Sequence, residues 1–248
     1  MIFISLLTGL LMLFIFRRTS NQEGIRRTKN KIKAHLLELR LYKDSLPVSL
    51  RAYGNILLAN LRYISHSVKP MLVMIVPILL ILIQLNLWFG YDSLPLGQAA
   101  LLKVMLEDGQ NEPPSDIALE ASSGITVETP ALWIEESREI DWRLRAREKG
   151  IHSIVFHRGQ NSFSKKVAIA QNALSRISAV KPGSNVFDEI FNPGEKPLPG
   201  KLGLRSVEVA YPSKRMNLFG WRLHWLIVFI ALSIVFGFAL KGVFKVEI

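Results

Sequence analysis

Three long apolar stretches divide the chain, and charged or aromatic residues bound each of them. They cover residues 1–16, 70–91 and 218–240. A helix needs about 20 apolar residues to cross the roughly 30 Å hydrocarbon core of a bilayer. The second and third stretches meet this length, and Arg17 and Arg18 can extend the reach of the first by snorkelling. The pattern predicts three transmembrane helices.

Residues 17–69, between the first two apolar stretches, show a helical rather than a continuous apolar pattern. Apolar residues recur at helical spacing from Asn21 to Tyr42, and again from Leu46 to Ser65. Asp44 and Pro47 mark a stop and a new start between the two arms. The apolar positions are Ile25, Ile32, Leu36 and Leu39 in the first arm and Val48, Leu57, Leu61 and Ile64 in the second. We expect a helical hairpin that projects from the membrane with a shared apolar seam, rather than one that lies flat on it.

The chain carries a net charge of +11, and its distribution predicts the orientation in the membrane. Residues 17–69 hold 12 Lys or Arg and 3 Asp or Glu, whereas residues 92–216 hold 16 of each. Basic loops stay in the cytoplasm. We therefore predict a multi-pass protein of the bacterial cytoplasmic (inner) membrane, with the N-terminus outside and the tail, residues 241–248, in the cytoplasm. A cleaved signal peptide is a weaker reading of residues 1–16, because no cation precedes them.

Residues 92–217 are predicted to form an extracytoplasmic β domain. Residues 139–147 alternate between apolar and polar side chains, which is typical of a strand with one buried face. Two further strand patterns follow after short turns, and we expect the three to form a meander. Other strand candidates on both sides bring the total to seven or eight, which favours an immunoglobulin-like β-sandwich. The Pro- and Gly-rich residues 181–201 are expected to be an extended loop outside the core.

No catalytic or metal-binding motif is present in the sequence. His152 and His157 lie five residues apart on one predicted strand and point to opposite faces. We therefore expect a non-enzymatic protein without a metal or a cofactor. Polar side chains within the apolar stretches are costly in lipid unless they face another helix or water. These residues, Gln84, Asn86 and Ser233, form the candidate intramembrane polar face.

Two other sets of residues have predicted roles at the membrane. The aromatic interfacial anchors are Trp88, Tyr91, Trp221 and Trp225. The cytoplasmic basic face, which is expected to lie near anionic lipid, consists of Arg17, Arg18, Arg26, Arg27, Lys29, Lys31 and Lys33.

The order of a first span, a basic cytoplasmic hairpin, a second span and a span that returns to the cytoplasm resembles the core of the YidC-type insertase superfamily. The resemblance covers residues 1–91 and 218–248, and it is one of topology. It implies a hydrophilic groove, open to the cytoplasm, that receives nascent membrane segments. Two features depart from it: residues 1–16 lack the Arg of many bacterial members, and a β domain separates the last two spans.

The resulting prediction is an insertase-like protein that assists the insertion or assembly of membrane proteins through its hairpin and polar face. The alternative is a structural or accessory subunit of a larger membrane complex, which binds partners through the β-sandwich. The expected partners are the bilayer and other membrane proteins or nascent segments. Specific binding to nucleic acid is not expected, and contact with a ribosome stays open.

Overall fold

A computed structural model describes residues 1–42, 45–107, 117–171, 175–200, 202–218, 220–244 and 246. The helices are α1 (Ile2–Thr19), α2 (Gln22–Leu41), α3 (Leu46–Phe89), α4 (Val186–Phe191) and α5 (Trp225–Leu240). Contacts divide the chain into two compact units. The helical unit comprises Met1–Leu80 and Met216–Ile248, and the β unit comprises Ile81–Arg215. The chain is thus a mixture of α-helices and antiparallel β-sheets.

The first turn of α2 is fixed by its cap. The Oδ1 atom of Asn21 accepts a hydrogen bond from the Gly24 N–H at 2.9 Å, which satisfies one of the free donors at the helix start. Arg17 and Arg18 lie in the last turn of α1, where a cation is favoured by the helix dipole. Helix α1 therefore ends at Thr19, three residues after the predicted end of the first span, and α2 begins at Gln22. The predicted stop at Asp44 lies outside the described residues.

The second arm of the hairpin and the second apolar stretch form one helix. Helix α3 has 44 residues, and both Pro70 and Pro77 lie inside it. At the usual rise per residue its length is about 66 Å, roughly twice the thickness of a hydrocarbon core. The predicted boundary between residues 69 and 70 therefore falls within a continuous helix.

The predicted seam of the hairpin is on the wrong face of α3. Leu57, Leu61 and Ile64 are 67%, 64% and 55% exposed, whereas Ala52 and Ala59 are buried. On α2 the buried residues are Ile25 and Thr28. The buried positions of α3 in this region are thus small alanines, and the bulky side chains lie on the opposite side of the helix.

The third apolar stretch is only partly helical. Strands β10 (Arg215–Leu218) and β11 (Trp221–His224) pair with one another, and α5 begins at Trp225. Residues 221–224 alternate in polarity, which suits a strand, and Gly220 adopts a φ of 88° in the turn. The prediction of a span from residue 218 is therefore wrong at its first end. Within the described residues, α1 and α3 are long and apolar enough to cross a membrane, while α5 is a shorter apolar helix of 16 residues.

The β unit contains two antiparallel sheets. Its strands are β1 (Ala99–Leu106), β2 (Ile117–Ala121), β3 (Ile125–Val127), β4 (Leu132–Ile134), β5 (Glu139–Ala146), β6 (Gly150–Arg158), β7 (Asn161–Ile169), β8 (Val180–Pro182) and β9 (Leu204–Val209). One sheet has the order β3-β5-β1-β9-β8, with β4 also paired to β5, and the other has the order β2-β6-β7. The first and last long strands, β1 and β9, are thus neighbours.

The predicted meander is wrong in one respect. Strand β6 pairs with β7 as expected, but β5 belongs to the other sheet. The chain changes sheets at the turn before Gly150, whose φ of 147° is readily adopted only by glycine. Alternation along the strands predicts their faces but not their pairing partners.

One hydrophobic core takes side chains from both sheets. Phe156 on β6 is fully buried, stacks on Phe163 with ring centroids 4.9 Å apart, and meets Trp142 of β5 edge-on at 6.2 Å. Residues 181–201 were expected to be a loop outside the core, and this is wrong: they include α4, and Leu198 is buried in the core.

Candidate functional site

An open cleft of about 360 Å³ lies within the helical unit. Helices α1 and α5 provide most of its walls, and two residues of α3 complete them. Its lining consists of Thr8, Gly9, Met12, Leu13, Phe16, Met74, Ile78, Phe229, Ile230, Ser233, Ile234, Gly237 and Phe238. We call this cavity the cleft.

Close packing of α1 on α5 closes one side of the cleft. A Cβ atom added to Gly9 would lie 3.3 Å from the Ser233 carbonyl oxygen and 3.4 Å from the Gly237 nitrogen. A Cβ atom added to Gly237 would meet nothing within 4 Å. Gly9 therefore permits the helix contact, as small residues do in membrane helices, whereas Gly237 leaves free space.

The cleft is apolar in character. Thr8 and Ser233 are the polar side chains in its lining, and no charged residue lines it. The Ser233 Oγ is buried without a hydrogen-bond partner among the described residues, as is the Ser5 Oγ on α1. Ser233 therefore lies in the expected kind of place, between helices, but its surroundings suit hydrocarbon rather than water.

The other two residues of the predicted polar face belong to the β unit. Gln84 and Asn86 are both exposed near the end of α3. Asn86 also forms a side-chain hydrogen bond with Tyr91, and its carboxamide covers Gly90. Asn86 thus has a structural partner close by, and neither amide is part of the cleft.

The four predicted anchors have different environments. Trp88 is 42% exposed and Trp221 is 73% exposed. Tyr91 instead pairs with Ser213 in an isolated bridge and packs against the core of the β unit. Trp225 is buried, and its ring lies 5.7 Å from that of His224, which accepts a hydrogen bond from the Leu226 N–H and so caps α5.

The predicted basic face follows the end of α1 and the first half of α2. Arg17, Arg18, Arg26 and Arg27 are exposed, and Arg27 forms an ion pair with Glu23 one turn earlier. Lys31 and Lys33 are also exposed, and Lys29 is half-buried. The cations therefore remain accessible along one arm of the hairpin.

Bulky apolar side chains form a continuous exposed stripe on α3, which we call the outer stripe. Its members recur every three or four residues, so they share one side of the helix. They are Leu46, Leu50, Tyr53, Leu57, Leu61 and Ile64, and each is more than half exposed. The buried Ala52 and Ala59 lie on the opposite side. Leu36, Leu37 and Leu41 on α2 are exposed as well.

A buried cluster of charge in the β unit was missed at the sequence level. The Lys165 Nζ is inaccessible to solvent and donates hydrogen bonds to the Ser178 carbonyl oxygen at 2.8 Å and to Glu195 at 2.5 Å. Lys181 lies 4.0 Å from the other Glu195 oxygen. Burial lowers the pKa of Lys165, and Glu195 opposes that shift. Every charged atom has a close partner, which favours a structural role.

Histidines and carboxylates do not gather into a metal site. Among the described residues, no group of three or more His, Cys, Asp or Glu lies close enough together to hold a metal ion. His157 instead lies 3.5 Å from Glu120 on the neighbouring strand, and His152 contacts the Glu148 carbonyl oxygen. Burial and the nearby Glu139 raise the pKa of Asp141, and Lys103 opposes this.

Comparisons with known proteins identify no family for this chain. No family model matches the sequence, and no curated protein matches it. The crystal structure of domains 4 and 5 of the S-layer protein SbsC is 19% identical over 33% of this chain and 48% of that one, with a TM-score of 0.25. The structure of the S-layer protein rSbsC(31-844) is 13% identical over 54% of this chain and 22% of that one, with a TM-score of 0.26. The chain thus spans less than half of either structure, and neither similarity identifies its fold or its function.

Proposed function

We propose that this chain is a non-enzymatic, multi-pass inner-membrane protein and an accessory subunit of a larger complex. Its hairpin binds a cytoplasmic partner protein through the outer stripe. The partner presents an acidic amphipathic helix. The β unit, an immunoglobulin-like sandwich outside the membrane in this proposal, is a second docking domain.

The outer stripe is the observation that carries the proposal. Its six bulky side chains are 55–76% exposed along almost twenty residues of helix. Contiguous apolar surface of this kind marks an interaction site in a soluble region. Apolar side chains at heptad-like spacing are also the form in which one helix receives another.

Length and charge favour a protein partner over the bilayer surface. Because α3 is continuous, the half of it that lies before Met71 projects about 36 Å when the other half spans the membrane. Residues 17–69 carry nine more basic than acidic residues, so a second copy of the hairpin would be repelled and an acidic helix attracted. Arg51 and Arg62 on α3 are both exposed and add to this positive charge.

Matched variants of α3 test the partner proposal. Leu57→Glu and Arg62→Gln each lower the charge by one, but only Leu57→Glu interrupts the outer stripe. After affinity purification in mild detergent, we expect a stoichiometric partner with wild type and Arg62→Gln, and at least a tenfold loss with Leu57→Glu. Equal recovery with both variants would contradict the proposal, and so would a partner that lacks an acidic amphipathic helix.

Single cysteines test the orientation, since the sequence contains no cysteine. Gly54→Cys and Gln160→Cys both replace exposed residues, one on the hairpin outside the outer stripe and one in the turn between β6 and β7. A membrane-impermeant thiol reagent, added to cells with a permeabilised outer envelope, should label position 160 and spare position 54 until the cells are lysed. The reverse labelling pattern would mean that the hairpin lies outside the cell membrane and the β unit lies in the cytoplasm.

The insertase-like function is a second candidate. The observation that favours it is the open cleft among α1, α3 and α5, in the part of the chain that resembles the insertase core. Its apolar lining differs from the hydrophilic groove that the resemblance implies. A hydrated groove requires rapid labelling of Ser233→Cys and Thr8→Cys by a water-soluble thiol reagent, with co-sedimentation of ribosomes. Protection of both positions would remove this candidate.

A further inference from the structure

We propose that the cleft binds one anionic phospholipid, with an acyl chain between α1 and α5 and the phosphate on the cations at the helix ends. The inference rests on one element of the proposed function, the embedding of these helices in a bilayer. It assigns a ligand to a cavity that the docking function of the hairpin does not use.

The lining of the cleft favours an acyl chain. Its Phe, Ile, Leu and Met side chains offer an apolar surface to a flexible chain of methylene groups, and no charged residue lines the cleft.

Cations lie shortly after the last lining residues of both helices. Phe16 is followed at once by Arg17, and Phe238 is followed three residues later by Lys241. The Lys241 Nζ lies 5.1 Å from the centroid of the Phe238 ring, so this cation lies beside the wall of the cleft. Arg18 instead lies over Phe14, which does not line the cleft, so Arg17 is the candidate cation on α1.

Charge complementarity identifies the headgroup. Arg17 and Arg18 are exposed, and the proposed orientation places them with Lys241 at the cytoplasmic side. Arg and Lys bind phosphate oxygens through charge-assisted hydrogen bonds. A zwitterionic headgroup adds its own ammonium group to this basic region, whereas phosphatidylglycerol does not. We therefore expect selectivity for the anionic lipid.

Gly237 provides a variant that fills the cleft without disturbing the helix contact. Its Cβ position is open, so Gly237→Leu places a side chain where the acyl chain would lie. Val235→Leu is the matched control, because residue 235 is 60% exposed and does not line the cleft. Lys241→Gln combined with Arg17→Gln removes the headgroup contacts, and Arg40→Gln combined with Arg18→Gln removes two cations away from the cleft as a control.

The experiment is native mass spectrometry of the full chain in mild detergent, titrated with phosphatidylglycerol or phosphatidylcholine. We expect wild type and Val235→Leu to retain one phosphatidylglycerol at least fivefold better than phosphatidylcholine. Gly237→Leu should lose retention of both lipids at least fivefold. The Lys241→Gln/Arg17→Gln variant should lose the preference, and the Arg40→Gln/Arg18→Gln control should keep it. Equal retention by Gly237→Leu and Val235→Leu would overturn the inference, as would an undiminished preference in the Lys241→Gln/Arg17→Gln variant.

An extraction experiment distinguishes failure of the lipid inference from failure of the proposed function. If alkaline carbonate releases the wild-type chain from membranes as a soluble protein, the embedding is wrong and both proposals fall. If the chain stays in the membrane and retains lipid without the expected dependence on Gly237, only the lipid inference fails.

Discussion

The two compact units differ in how far their apolar side chains are buried. In the β unit, Leu102, Phe156 and Val207 are fully buried in a core that both sheets share. In the helical unit, Leu50 and Leu57 are 70% and 67% exposed. A unit that completes its own core is stable without help, whereas exposed bulky side chains gain free energy only when something covers them. In the proposed function, lipid and a partner protein cover this exposed apolar surface of the helical unit.

The largest expected difference between the units comes from truncation of aromatic and aliphatic side chains. Phe156→Ala should lower the free energy of unfolding of the β unit by about 3–5 kcal/mol, because it removes a stacked, fully buried ring. Leu57→Ala should change stability by less than about 0.5 kcal/mol, because the side chain is exposed in the isolated chain. Thermal unfolding of the full chain in mild detergent, followed by near-ultraviolet circular dichroism, measures both. Similar losses would remove the contrast.

Removal of Glu195 tests the buried charge cluster. Glu195→Ala leaves Lys165 and Lys181 without their carboxylate, and we expect a loss of about 3 kcal/mol in the free energy of unfolding. The control is Glu136→Ala, at an exposed position. A loss no larger than that of the control would mean that the ion pair between Lys165 and Glu195 does not stabilise the fold.

Gly90, just after α3, and Gly54, inside α3, differ in the space available for a Cβ atom. A Cβ atom at Gly90 would lie 2.4 Å from the backbone oxygen of Asn86, so Gly90→Ala should destabilise the fold by about 1–3 kcal/mol. Gly54 lies inside α3, and its Cβ position is open. Gly54→Ala should therefore raise the stability of the helix by about 1 kcal/mol. The same thermal unfolding measurement applies, and changes of equal sign would contradict the account.

The smallest predicted effect is a pH dependence at Asp141. Its pKa is raised by burial and by Glu139, so the folded state binds the proton more tightly than the unfolded state. Stability from this group is full below the unfolded pKa and is lost as the pH rises through the folded value. Asp141→Asn should therefore be more stable than wild type by about 1 kcal/mol at pH 7, with no advantage below about pH 4. A pH-independent difference would contradict this.

Local features of the sequence were sufficient to predict individual elements. The helical periodicity from Asn21 to Tyr42 predicted α2, and residues 117–121 form β2 as expected. The basic residues after Phe16 mark the last turn of α1, which ends at Thr19. These features depend on neighbours within a few positions, which a single sequence displays directly.

Contacts over long sequence distances could not be predicted in the same way. Lys165 and Glu195 are thirty residues apart, and nothing in either neighbourhood marks them as partners. Alternation predicted that β5 has a buried face, but not that β5 and β6 lie in different sheets. The buried alanines of α3 were overlooked because bulky residues are the usual sign of a helix interface, and here they face outward.

The most direct test of the central claim is photo-crosslinking in living cells from position 57, with position 62 as the matched control on α3. The account predicts one protein adduct of defined mass from a photoreactive residue at Leu57, and much less of it from Arg62. It also predicts that Leu50→Glu abolishes the adduct. A lipid-sized adduct at position 57, or equal yields from both positions, would contradict the claim that the outer stripe binds a partner protein.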